Sequence, residues 1–383
     1  MYDIVVVGGG LVGSAFALDL AKQAPHLNIC VIDKAILGTI SADYDSRIYA
    51  INPSNLDYLS DLGISLDYAR INTIQQMLVH GDDNSAITLD AGEINQDYLA
   101  KTVEYQNLQN SLINELLTYP NVNMINALIS KIDNHSTHVE LLISHDNVET
   151  VIKSKLLVAS DGANSFVRNY FNVPVSEIDY LQSGVIANLK TEFPHDNVAN
   201  QWFLSGGDIL AFLPLPNNCI SIVYSTHDPK AVVELPEKEL EDLLYNLSQG
   251  KLGRLSLLSK PIALPIKLKL VEKFYLQNIA FIGDAAHTIH PLAGQGVNLG
   301  FQDAKYLANL LATTKAYQYN DIGLLEKYHN HRYLSVRKMQ LICHGLYRLF
   351  NADNSALVKL RNFGLKLINN TTIIKKNMIK QAI

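Results

Sequence analysis

The segment from Tyr2 to Asp33 constrains this chain more than any other. Tyr2 to Val7 is a short β-branched run of the kind that forms a buried parallel strand. Gly8-Gly9-Gly10-Leu11-Val12-Gly13 follows directly and reads G-x-G-x-x-G. Ser14 to Lys22 reads as a helix with Pro25 just past its end, and Leu27 to Ile32 as a second strand closed by Asp33. Strand, glycine turn, helix, strand and terminal acid come in the order that a dinucleotide-binding unit requires. Gly8 permits the tight turn, Gly10 lets a pyrophosphate approach the backbone, and Gly13 lets helix and strand pack closely. The helix start offers unpaired N–H groups and a partial positive charge to the phosphate. Asp33 is placed to accept two hydrogen bonds from a ribose diol, and it disfavours a 2′-phosphate. The unit alone does not separate FAD from NAD.

At 383 residues the chain exceeds what one compact core usually takes, so two lobes, or a domain with a large insertion, are expected. A net charge of −6 gives nucleic-acid binding no electrostatic support. Cys30, Cys219 and Cys343 lie far apart with no C-x-x-C pair. Zinc ribbons, thioredoxin-type chemistry and a disulfide framework are therefore not expected, and a reducing cytosol fits. The start "MYDIVVVGGG" lacks the basic leader of a signal peptide, and no apolar run approaches the ~20 residues that span a bilayer.

Two later stretches matter. "KLLVAS" (Lys155 to Ser160) is a strand that runs into Asp161-Gly162-Ala163-Asn164-Ser165; taken alone this is a turn with Ser165 as a helix cap. The second is "GDAAHTIHPLAGQGVNLG", Gly283 to Gly300, after a strand over Asn278 to Ile282 and before a helix from Val297 to about Leu311. His287 and His290 lack a clear third ligand nearby, and Pro291 interrupts any helix that would align them, so no metal is expected. No nucleophile accompanies them for acid–base catalysis. What remains is the backbone: Gly294 and Gly296 leave N–H groups uncovered where a helix begins, and such an end stabilises negative charge. The N1–C2=O edge of a reduced flavin suits it, and Asp284 at a strand end suits the ribityl hydroxyls.

Together, Gly8 to Gly13, Asp161-Gly162 and Gly283-Asp284 resemble the three fingerprints of the single-component FAD-dependent aromatic hydroxylases, whose fold is that of para-hydroxybenzoate hydroxylase. Asp45-Ser46-Arg47-Ile48-Tyr49-Ala50-Ile51 is similar to the D-x-R-x-x-A-L segment of the ubiquinone-biosynthesis hydroxylases within that group. "PHDNVANQWFLSGGDILAFLPL" (Pro194 to Leu215) and "RLFNADNSALVKLRNFGLKLINN" (Arg348 to Asn370) resemble their substrate-domain strands and C-terminal helices. The first of these looks most like the 2-polyprenylphenol hydroxylase that acts at ring carbon 5. The chain departs from the pattern in Asp33 where Glu is usual, in Gln106 where many members carry an Arg that approaches FAD, and in Cys343-His344 where Thr-Asp is usual.

The resemblance implies an α/β fold. A Rossmann-like FAD-binding domain (1–70, 97–175 and 271–313) is interleaved with a mainly antiparallel β-sheet substrate domain (71–96 and 176–270), followed by a C-terminal helical region (314–383). Strands are expected over Ser183 to Lys190, Gln201 to Leu204, Ile209 to Leu215 and Cys219 to Tyr224, and a helix over Asp97 to Tyr119. The resemblance further implies FAD as cofactor, NADH or NADPH as a transient reductant with no domain of its own, and O2 as co-substrate. The reaction is hydroxylation of a hydrophobic prenylated phenol by way of a flavin C4a-hydroperoxide. Arg47 is expected beside the flavin, its charge guiding flavin movement or holding substrate; Pro291 and Gly294 to Asn298, with Val297 between, are expected to face the isoalloxazine. Tyr224 and His227 are candidates for a substrate base. From residue 335 onward nine Lys/Arg face one acid, Asp353, and Leu357, Leu360, Phe363 and Leu367 recur at helical spacing. This reads either as a solvated helix packed on the body or as a basic apolar surface that touches anionic lipid at the inner face of the membrane. A quinone-biosynthesis complex or homo-oligomer is a further expectation. The rival readings are a hydroxylase of a small soluble aromatic and a flavin-binding assembly subunit.

Overall fold

The computed structural model describes residues 1–34, 44–81, 86–146, 148–290, 295–315 and 318–350, with 375, 376 and 379. Pro291 and Gly294, and Leu357, Leu360, Phe363 and Leu367, lie outside the described residues.

Among the described residues there are three sheets. The first is built around Tyr2–Val7, whose Ile4, Val5 and Val6 are fully buried. It pairs in parallel with Ile29–Asp33 on one side and Val148–Ala159 on the other. Val122–Asn126 and Ile279–Phe281 extend the parallel run outward. All five strands therefore end at the same sheet edge, where ligands bind in open α/β sheets. Leu11–Gln23 and Gln295–Ala312 pack on each other. Their approach is close enough that a Cβ at Gly300 would strike Val12.

The second sheet is mainly antiparallel, in the order His287–Thr288, Ile262–Val271, Val175–Thr191, Cys219–Thr226, Ile209–Leu215, Val198–Phe203, Gln76–His80, Ala86–Asp90. One face buries Val185, Ala187, Leu210, Phe212 and Ile222 with the helix Glu237–Leu247. The other face meets the segment before Ile48–Ile51, where Asn188 Nδ2 donates to Asp45 O at 2.9 Å. Among the described residues after Tyr319 the longest element is the helix Ile322–Phe350.

Two expectations need correction. Asp97 to Tyr119 is not one helix: Ala100–Glu104 is a strand, and the helix is Tyr105–Leu116. That strand forms a small third sheet with Ile48–Ile51 and Asn72–Ile74, so the first part of 71–96 does not cross to the substrate sheet; Gln76–His80 and Ala86–Asp90 do. Cross-strand pairing with distant segments overrides the local helical pattern here.

The small sheet is tied by a buried carboxylate. Glu104, with its side chain 1% exposed, receives Arg70 Nε and Nη2 at 2.7 Å each and the Asp45 N–H at 2.8 Å. Arg70→Ala leaves this carboxylate buried without its bidentate cation, at a cost of about 3 kcal/mol. Urea denaturation should show that loss, and Glu104→Gln in the same background should recover part of it.

Candidate functional site: a backbone cradle

Three turns meet at the shared edge of the parallel sheet. At the first, Gly8 has φ +101°, and a Cβ there would lie 2.5 Å from the Ser160 carbonyl oxygen. A Cβ at Gly13 would collide with the Gly8 carbonyl and the Ser160 hydroxyl. Both positions therefore need glycine. Gly10 differs: nothing lies within 4 Å of its Cβ position, and it caps the helix Leu11–Gln23 with no side-chain cap and no acid in the first turn. The helix start is thus open, with bare N–H groups, as an anion site requires. Asp33 Oδ2 accepts the Gly9 N–H at 2.6 Å, so part of this carboxylate shapes the glycine turn itself.

The second turn lies against the first. Asp161 Oδ2 accepts from Val167 N, while its buried Oδ1 has no hydrogen-bond partner. Burial raises the Asp161 pKa. Gly162 has open space where a side chain would be. Ser165 caps Phe166–Tyr170 by accepting the Arg168 N–H. In the third turn, Gly283 N donates to Asp303 Oδ2 at 3.0 Å. Asp284 is reached by solvent, yet it lies so deep among protein atoms that desolvation raises its pKa.

His287 and His290 do not converge on a common ligand. His287 Nε2 sits 2.6 Å from Asp303 Oδ2, and Arg332 Nε donates to Asp303 Oδ1 at 2.7 Å. His290 is fully buried among Tyr180, Tyr347 and His344, with neither ring nitrogen hydrogen-bonded. Its pKa falls to about 4, chiefly from burial and then from His344.

The helix Gln295–Ala312 begins here, with Gly296 and Val297 part-exposed and no acid in its first turn. The Asn298 side chain does not point outward with the N–H groups of that first turn. It is 1% exposed and turns inward, giving Nδ2 to Ala50 O and taking the Asn52 N–H and Asn55 Nδ2 on Oδ1. Its side chain clamps the segment after Arg47 rather than facing the cleft. Gln106 is half-buried in the first turn of its helix, but Gln109, one turn on, donates Nε2 to Gly9 O. Arg47 is half-exposed, its guanidinium carbon 3.6 Å from the Tyr105 ring centroid and Asp45 at 3.9 Å. Neither proposed base belongs to the cradle. Tyr224 packs on the far face of the substrate sheet and donates to Asp208 Oδ2, with burial raising its pKa; His227 is exposed.

Four residues escaped sequence reading. Gln109, Asp303 and Arg332 are described above; the fourth, Arg168, donates to Ala163 O at 2.7 Å and Ala285 O at 3.0 Å, joining the second turn to the third. The available signal for Asp303 was an acid at helical spacing from Leu299 and Leu307, on the apolar face of the helix. The residues fit a dinucleotide-linked flavin: open space at Gly10 and Gly162, a bare helix start, and an unpartnered oxygen at Asp161.

The chain matches the family described as FAD binding domain over residues 1–340. It is 29% identical to the 3-demethoxyubiquinol 3-hydroxylase of Escherichia coli K12, covering 100% of this chain and 98% of that one. It is 30% identical to the ubiquinone biosynthesis monooxygenase COQ6, mitochondrial, of Drosophila melanogaster, covering 100% of this chain and 89% of that one. Among solved structures, p-nitrophenol 4-monooxygenase PnpA from Pseudomonas putida DLL-E4 superposes with a TM-score of 0.81 at 18% identity, covering 100% and 98% of the two chains.

Gly10→Val adds atoms only to open space, so the flavin-free protein should melt within about 1 kcal/mol of wild type. The same protein should emerge colourless and fail to take up FAD by fluorescence titration. His290→Phe tests the buried imidazole. The folded pKa lies below the unfolded one, so the unfolded chain binds the extra proton and wild-type stability falls as pH drops through 6.5 toward 4. The stability of the variant relative to wild type should therefore improve by roughly 3 kcal/mol between pH 7 and pH 4.

Proposed function

This chain belongs to the FAD binding domain family and is an FAD-dependent monooxygenase, and from that premise we propose that it hydroxylates a prenylated phenol in ubiquinone biosynthesis. The observation that carries the substrate class is the wall opposite the cradle. Ala211, Leu213 and Val223 lie in the middle of the nine-stranded sheet, yet all three are partly exposed, on the face away from the helix Glu237–Leu247. Leu213 packs against the cluster of Ala50, Ile74 and Ala199, and the Ala50 carbonyl accepts Asn298 Nδ2, which puts this face near the start of the helix Gln295–Ala312. Its other members include Gly184, Ile186, Asn188, Ser221, Ser225, Ile209 and Gln201. None of these central positions is charged, which favours an apolar substrate over a small soluble aromatic acid; Lys190, paired with Cys219, shares the face only at the exposed end of its strand.

FAD, reduced by NADH or NADPH, supplies the chemistry that activates O2 and delivers one oxygen atom to the ring. The residues bind and orient. The N–H groups at Gly10 receive the pyrophosphate, and Asp33, Asp161 and Asp284 receive hydroxyls or shape the turns that do. The N–H groups at Gly296 and Val297 stabilise negative charge at the flavin edge. Arg47 adds a fixed cation at the rim, close to Tyr105. The apolar wall excludes water and keeps the ring in reach. The domain limits given by the sequence and peripheral contact with lipid belong to this reading. On the helix Ile322–Phe350, Leu334, Leu341, Ile342 and Leu346 are exposed beside Arg337, Lys338 and Arg348. Among the described residues no helix is long and apolar enough to cross a membrane.

Purified protein should consume NAD(P)H only when a prenylated phenol is present and should yield the hydroxylated ring. Phenol-independent or absent oxidation would favour the assembly-subunit reading. In the host, deletion of the gene should accumulate a ring precursor short of one hydroxyl, and its structure reports whether carbon 5 is the target. Arg47→Ala should lower kcat about tenfold, with FAD content unchanged by absorbance.

A further inference from the structure

The end of the parallel sheet opposite the cradle carries a second cluster of polar side chains. There Leu128–Asn134 and Val139–His145 form an antiparallel hairpin against Val148–Ala159, and Asn134 pairs with Val139 across the turn. The turn reads His135-Ser136-Thr137-His138, closed by His135 N donating to His138 O at 2.9 Å, and Glu140 follows on the strand. Among the described residues this is the one group of His, Cys, Asp or Glu whose ligand atoms all lie within 4.8 Å of one another. A single oxygen is the focus. Glu140 Oε1 has His138 Nε2 at 3.1 Å, His135 Nε2 at 4.0 Å and Lys153 Nζ at 2.6 Å. The two imidazoles stack, with ring centroids 4.7 Å apart and 22° between their planes. A surface ion pair accounts for Lys153, but such a pair adds little stability and gives no reason for two imidazoles to converge on the same oxygen. Two imidazoles and a carboxylate are a ligand set that zinc uses, with a fourth position left for water.

The turn is held from beneath. Asn278, buried and at φ +58°, donates Nδ2 to Asn134 Oδ1 at 2.9 Å and to His135 O at 2.6 Å. Asn320 Nδ2 donates to Thr137 O at 3.1 Å and to Asn278 Oδ1 at 2.8 Å. The backbone that carries both histidines is therefore fixed before any ion arrives, which lowers the ordering cost of binding. Thr137 Oγ1 lies 3.2 Å from His138 Nδ1; by accepting the N–H there it leaves the Nε2 lone pair for a metal. Zinc bonds of ~2.0–2.2 Å put tetrahedral ligand atoms ~3.4 Å apart, so small side-chain rotations complete the set.

We propose that His135, His138 and Glu140 bind a divalent transition metal ion of the zinc class, with water in the fourth position, in exchange for the Lys153 ammonium. The ion fastens the hairpin turn. Through Asn278 the turn touches the start of Ile279–Phe281, and roughly 16 Å of extended strand separates Asn278 from Gly283. The site is therefore structural and takes no part in the flavin chemistry.

The test is a zinc titration of chelator-stripped, flavin-loaded protein, followed by calorimetry and by thermal melting. Wild type should bind one zinc ion with a micromolar Kd or tighter, and saturating zinc should raise Tm. The double variant His135→Ala with His138→Ala should weaken binding about tenfold or more and abolish the Tm shift, with FAD content unchanged as the sign of an intact fold. Lys153→Met, which removes the competing ammonium, should tighten binding. Zinc affinity unchanged in the double variant places the ion elsewhere and overturns the site. Absence of binding to wild type at millimolar zinc overturns it as well, and neither result touches the hydroxylase reading.

Discussion

The site depends on five strands running in the same direction. Because Ile279–Phe281, Val148–Ala159, Tyr2–Val7, Ile29–Asp33 and Val122–Asn126 are parallel, the turns that follow residues 7, 160 and 282 open on one edge. Segments separated by more than a hundred residues become neighbours through the strand order, and the Arg168 side chain then ties the second turn to the third. The packing at that edge is close: Ser160 Oγ donates to Gly8 O at 2.7 Å and to Val7 O at 3.0 Å. A side chain at Gly8 or Gly13 would force the first two turns apart, and the cradle would lose its floor before it lost any reactive group.

Buried charge then fixes the turns relative to the rest of the molecule. Asp303 is fully buried and gathers Gly283 N, His287 and Arg332, three partners from two other segments. Burial pushes the pKa of Asp303 up, yet the His287 and Arg332 side chains and their hydrogen bonds hold it below the usual carboxylate value. Such a carboxylate adds little net stability over an apolar packing, because desolvation offsets much of the attraction. What it adds is a requirement: the helix Ile322–Phe350 must dock in one register for Arg332 to arrive, so the third turn takes its shape from a segment on the far side of the chain. Glu104 plays the corresponding part for the segment that carries Arg47.

The sequence made legible whatever was encoded locally. The dinucleotide unit was readable because strand, turn, helix and acid fall within about thirty residues and each signal has one physical meaning. Ile209 to Leu215 was bounded correctly, since turn residues flank it on both sides. Ala100–Glu104 was not, because its partners, Ile48–Ile51 and Asn72–Ile74, lie far along the chain and the local periodicity favoured a helix. The inward turn of the Asn298 side chain was not legible either, being set by Ala50, Asn52 and Asn55. Gln106 drew notice through resemblance, while Gln109, on the next turn, holds the glycine loop. The apolar wall was invisible for a deeper reason: which residues share a face across four strands is fixed by register, and register is a property of the pairing rather than of any one strand.

Cradle and wall differ in kind, and the difference bears on how such a protein can specialise. The cradle consists of main-chain groups at positions where a side chain would collide or fill the space, so its sequence has almost no freedom. The wall consists of side chains on strands whose backbone is already paired on both edges, as for Cys219–Thr226 between Val175–Thr191 and Ile209–Leu215. Exchanging Ala211, Val223 or Leu213 for another residue changes what the cleft accepts while leaving every ladder hydrogen bond in place. Among the described residues the contacts between the two include Leu213 with the cluster of Ala50, Ile74 and Ala199, and Asn188 with the carbonyl of Asp45. Substrate choice can therefore shift by substitution on one sheet without any change at the three turns, and a neutral, tail-bearing ring needs nothing from the wall except shape and dryness.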